Sequence, residues 1–127
     1  MDSKELREKQ APLKKKYLDE PKEAEVVLHA EGALGDDFAC NVETDIGTVE
    51  AGLHTATGGD GTQACSGDML LQALVGCAGV TLNTVSTAMG IELNDATVRA
   101  EGVLDFRGTL GVSKEASVGF KSIRIDL

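Results

Sequence analysis

A chain of 127 residues is the size of one domain, and with 42% hydrophobic but only 3% aromatic residues and no Trp its core must be built from Leu, Val, Ala and Ile. The formal net charge of -9, from 21 acidic and 12 basic residues, argues against nucleic acid and anionic membrane surfaces as partners, because both repel it. The opening MDSKELREKQ is charged where a secretory signal would be apolar, and three cysteines without zinc-type spacing suit free thiols in a reducing compartment, so a cytoplasmic location is expected.

Residues 1–25 carry seven basic and seven acidic groups and are neutral, so the acidity belongs to the rest of the chain. The first 23 residues read as a charged helical arm and linker, and residues 24–127 as the domain proper. Over residues 3–17, Ser3 is a candidate cap, Glu5–Lys9 is a favourable i,i+4 pair, and Pro12 is expected to kink or split the helix. The arm is either mobile or packed on a partner subunit.

Three short strands are expected next. Val26, Leu28 and Ala30 alternate with Glu25, Val27, His29 and Glu31. Phe38, Cys40 and Val42 share a second face, and Val49, Ala51 and Leu53 a third. Period two with one polar side is the pattern of a half-covered antiparallel sheet, and the turns at Gly35-Asp36-Asp37 and Asp45-Ile46-Gly47 are short enough for a meander. The loop HTATGGDGTQACSG, residues 54–67, has no phosphate-cradle spacing and is either an ordinary connection or the border of a pocket.

The segment Asp68–Met89, DMLLQALVGCAGVTLNTVSTAM, is the most informative part of the chain. Its only ionisable side chains are Asp68 and Cys77. Ser66 is an acceptable N-cap, Asp68 meets the positive end of the helix, and Gly90 is a credible C′ residue with Ile91 beyond it. A helix of that length spans about 33 Å, and one so apolar in a soluble acidic protein should be covered on most faces. Gln72, Gly76, Gly79 and Asn83 form a small, polar stripe suited to a close helix crossing. Period two then returns: Val98, Ala100, Leu104 and Phe106 face inward, and Ile123, Ile125 and Leu127 alternate with Ser122, Arg124 and Asp126.

The segment CSGDMLLQALVGCAGVTLNTVSTAMGIEL, followed by DFRGTLG and GFKSIRIDL, resembles the OsmC/Ohr family of osmotically induced and organic-hydroperoxide-resistance proteins, closest to its OsmC-like branch, over roughly residues 24–127. The resemblance implies an α+β, OsmC-like fold in which antiparallel sheets wrap a long buried central helix, in an intertwined homodimer. It implies thiol-dependent reduction of organic hydroperoxides in response to oxidative or osmotic stress, with Cys77 at the peroxidatic position and a small-molecule dithiol as reductant. The family's second cysteine falls on a helix beyond residue 127, so the domain is expected to be incomplete at its C-terminus. Gly67 stands where the family has a glutamate ten residues before the cysteine, with Asp68 one step later, and residues 24–37 contain no arginine. His54 is the remaining candidate base or donor. The catalytic set to test is therefore Cys77, Asp68 and His54. The alternative is a non-catalytic dimer that binds a small apolar ligand or serves a structural role.

Cys65 lies just before the helix cap, where backbone donors can stabilise a thiolate. It is about 17 Å along the axis from Cys77 by the helical rise, against the limit of about 7 Å between Cα atoms that a disulfide allows. Cys40 alternates with core residues and reads as structural. His29 and His54 stand far apart and outside any ligand motif, so neither a metal nor a cofactor is expected. No GxSxG is present to suggest a serine hydrolase.

Overall fold

A computed structural model describes residues 1–127, and the chain divides into two units, Met1–His29 with Cys77–Thr97, and Ala30–Gly76 with Val98–Leu127. One helix, α2 (Ser66–Met89), contributes its first half to the second unit and its second half to the first.

The first unit opens with α1 (Ser3–Asp19). Its cap is Asp2 rather than Ser3: the Asp2 carboxylate accepts from the backbone N–H groups of Lys4 and Glu5, and the Glu5 carboxylate accepts from Asp2 N–H, completing a capping box. Pro12 sits inside a continuous helix. It cannot donate to the Glu8 carbonyl, yet the helix continues through it without the expected split. The i,i+4 ion pairs that form are Lys4–Glu8 and Lys15–Asp19 rather than Glu5–Lys9, and Lys16 pairs with Glu23 beyond the helix end. A 3₁₀ turn, Pro21–Ala24, follows. Residues 25–31 then run without sheet assignment, so the strand expected there is not formed. Val26, Val27 and Leu28 stay exposed, because alternation specifies faces while a strand also needs a neighbouring strand to bond. At the far end of α2, Ile91 N–H donates to Ser86 C=O at 2.9 Å and Gly90 N–H to Thr87 C=O at 3.1 Å, with Gly90 at φ 71°, which is a Schellman stop.

The second unit holds two sheets. In the first, β2 (Cys40–Thr44) and β3 (Gly47–Gly52) pair antiparallel as expected, a short β1 (Gly32–Leu34) just past the expected first strand pairs with β2, and β4 (Ala64–Cys65) adds to β3 in parallel. Cys40 faces Ala51, and Cys65 faces Gly52, so the two thiols point to opposite faces of this sheet. In the second, β5 (Arg99–Leu104) pairs antiparallel with β6 (Phe120–Asp126), with a register shift at Val103–Leu104. A one-turn helix, α3 (Phe106–Thr109), lies between them. Ala100, Gly102 and Leu104 are the half-covered positions of β5 and Arg99, Glu101 and Val103 the exposed ones, as the alternation requires. Gly102 is where the Phe120 ring lies: a Cβ there would collide with it.

The α+β class stands, but the long buried central helix does not. Of the most apolar 18 residues of α2, only 6% are buried, and Ser86 is the helix's one buried residue. Leu71, Leu74, Val75, Ala78 and Leu82 form a half-covered stripe, while Leu70, Val80, Val85 and Met89 are exposed. The sheets form no closed wrap either: six short strands in two separate sheets are too few to surround a 24-residue rod. The buried hydrophobic core is Ala39 and Ala51 alone. By length and composition α2 is also long and apolar enough to cross a membrane.

Candidate functional site

The second unit contains a cavity of about 230 Å³ lined by His54, Cys65, Gly67, Asp68, Leu71, Gly102, Leu104, Phe106 and Phe120. Two of the three site residues expected from the sequence, His54 and Asp68, meet in it.

His54 is fixed by the loop that follows it. Its carbonyl accepts from Thr57 N–H at 2.8 Å, Gly59 N–H at 3.1 Å and the Thr57 hydroxyl at 2.9 Å. Gly59 has to be glycine, because a Cβ would run into the Leu53 carbonyl. Further along the loop, Thr62 donates from its hydroxyl and N–H to the Asp60 carboxylate, which these bonds hold below its ordinary pKa. The His54 ring is held twice: Nδ1 accepts from Ala56 N–H at 3.0 Å, and one face stacks on Phe106, centroids 5.1 Å apart. An Nδ1 that accepts leaves Nε2 as the protonated nitrogen of the neutral ring, so the imidazole offers a donor there.

The opposite wall comes from the start of α2. Cys65 ends β4, Gly67 and Asp68 lie in the first turn, and Leu71 follows one turn on. Cys65 is half-buried and Asp68 exposed. Gly67 keeps the cavity open: a Cβ on it would sit 3.5 Å from Leu104 Cδ1, 3.5 Å from Phe120 Cζ and 3.7 Å from Cys65 Sγ. These are ordinary contact distances, so the space a side chain would take is the space beside the sulfur.

The apolar floor is Leu104, Phe106 and Phe120. Phe106 is set by its own helix cap. The Asp105 carboxylate accepts from Arg107 N–H at 3.1 Å and, in a forked pair, from the Arg107 guanidinium at 2.6–3.2 Å. The guanidinium first and the backbone N–H second hold the Asp105 carboxyl down at about 2. The pair also occupies Arg107. Arg99 and Arg124 are likewise bound to carboxylates two residues away, Glu101 at 2.6 Å and Asp126 at 2.8 Å. Arg99, Arg107 and Arg124, the three arginines of residues 24–127, are thus each committed to a neighbour.

Cys77 is not among the residues lining this cavity; it is a free, exposed thiol on α2. Cys40 and Cys65 are free as well. No three His, Cys, Asp or Glu side chains converge in a way that could hold a metal ion. The residue that sequence reasoning did not place is Phe120. A signal for it was present: Gly102 falls between Ala100 and Leu104 on the inward face of β5, and a glycine there leaves room for a ring.

Compared with known families, residues 59–127 match the family described as OsmC-like protein. Among curated proteins, none matches this chain.

Proposed function

The chain belongs to the OsmC-like protein family, and from that premise we propose that it is a cytoplasmic, homodimeric stress protein that reduces organic hydroperoxides through Cys77. The observation that carries this reading is Cys77 itself, a free and exposed thiol in the middle of α2, inside the matched segment. An exposed sulfur can be reached by an oxidant and afterwards by a reductant, which a packed thiol cannot. The thiolate attacks the terminal oxygen of ROOH, the O–O bond breaks, and the alkoxide leaves to take a proton, giving a sulfenic acid. A dithiol then forms a mixed disulfide with loss of water, and its second sulfur releases Cys77. His54 and Asp68 line a cavity that does not include Cys77, so the proton in this step is exchanged with solvent at the exposed sulfur.

The homodimer is supported by large apolar side chains left open to solvent. Val26, Val27, Leu28, Leu34 and Phe38 are each 73% or more exposed. A second reading, a dimer that binds a small apolar ligand without turnover, is favoured by the cavity walls of Leu71, Leu104, Phe106 and Phe120.

The test treats the full chain with cumene hydroperoxide, traps sulfenic acid with dimedone and maps the label by peptide mass. Label on Cys77 is expected. Unlabelled Cys77, with the peroxide left unconsumed, would leave the binding reading.

A further inference from the structure

The cavity joins three features on one surface: a free thiol, a fixed imidazole and an apolar floor. We propose that it is a covalent-capture site, in which Cys65 adds to small apolar α,β-unsaturated carbonyl compounds. This does not depend on Cys77 or on peroxide chemistry.

The geometry argues for that class of ligand. The sulfur borders the space left by Gly67, and the atoms nearest that space on the other side are Leu104 Cδ1 and Phe120 Cζ. An alkyl chain bound there lies against Leu71, Leu104 and Phe120 with its reactive carbon near sulfur. His54 lines the same cavity, and with Nδ1 occupied by Ala56 N–H its available hydrogen is on Nε2. A carbonyl oxygen is the group such a donor polarises. The volume of about 230 Å³ admits a small chain.

The reaction balances without an outside oxidant or reductant. The Cys65 thiolate attacks the β-carbon and the C–S bond forms. The C=C pair moves toward the carbonyl, giving an enolate whose oxygen accepts from His54 Nε2–H. The proton that left the thiol ends on the α-carbon. The product is a thioether, and nothing leaves.

Cys77 is the internal control. It is exposed and outside the cavity walls, so it has no reason to favour a reagent with an alkyl tail. The full-length chain is treated in parallel with trans-2-octenal and with acrylamide, and adducts at Cys65 and Cys77 are counted by peptide mapping. The Cys65-to-Cys77 ratio cancels the intrinsic reactivity of each reagent. It is expected to be about tenfold higher for octenal than for acrylamide, from apolar burial of the tail. Gly67→Ala, whose added Cβ meets only ordinary contacts, should cut that preference by narrowing the space beside Sγ, while leaving acrylamide labelling of Cys77 unchanged. Equal ratios for the two reagents in the native chain would overturn the proposal, as would an octenal preference that survives both Gly67→Ala and His54→Ala.

Discussion

The imidazole of His54 stacks on the ring of Phe106, with centroids 5.1 Å apart and planes 27° from parallel. The two residues come from different parts of the second unit, the loop after β3 and the first position of α3. Their contact ties the loop 54–62 to the β5–β6 sheet and closes one side of the cavity. It also turns His54 from a surface histidine into a positioned one, because the ring is gripped on a face and at Nδ1 together.

Removing the Phe106 ring should therefore cost both stability and order. Phe106→Ala is expected to destabilise the chain by about 1–2 kcal/mol, the range for losing an aromatic pair and part of a half-buried ring. Urea unfolding of the two proteins measures it. Faster amide exchange at Ala56 in the variant would report the loosened loop. An unchanged midpoint and unchanged exchange would mean that the stack holds nothing in place.

The acid limb of stability should depend on Asp105. Its carboxyl is held at about 2 in the folded chain, below the usual value of 3.8, so the folded state favours the ionised form. That contribution is fully present above the unfolded value and is lost as pH falls through the folded one, which places the window between about 4 and 2. Asp105→Asn should flatten this part of the stability-against-pH curve and leave its shape near neutrality the same. A titration of Asp105 followed by NMR, with a midpoint near 4, would contradict the assignment.

Self-association should follow from the exposed apolar side chains. Sedimentation at micromolar concentration is expected to give twice 13.3 kDa. Charged substitutions at Leu28 and Leu34, 89% and 91% exposed, should shift it toward the monomer. A native chain that sediments at 13.3 kDa at every concentration would remove the dimer.

Local signals in the sequence carried far, and global cover did not. Gly90 and the cap region bounded α2 within two residues, because helix ends are decided by a few backbone bonds close in sequence. The β2–β3 hairpin was legible from its short turn and alternation. The strand expected over residues 25–31 was not formed, because Val26 and Leu28 encode a face but nothing about the partner that would bond it. Reading α2 as buried failed for a related reason. Its apolarity says that cover is favourable, but not that this chain supplies it. At the site, Asp68 and His54 were named as stand-ins for family residues around Cys77, and the cavity they share does not include Cys77. The pairing of His54 with Phe106, and of Phe120 with Gly102, needed contacts between distant segments. Neither leaves a local pattern.

Peroxide turnover bears most directly on the role of Cys77. Consumption of cumene hydroperoxide is followed with a dithiol in excess, for the native chain and for Cys77→Ser. The native chain should turn over and Cys77→Ser should fall to the rate of dithiol alone. A Cys77→Ser protein that consumes the peroxide as fast as the native chain would contradict a peroxidatic Cys77.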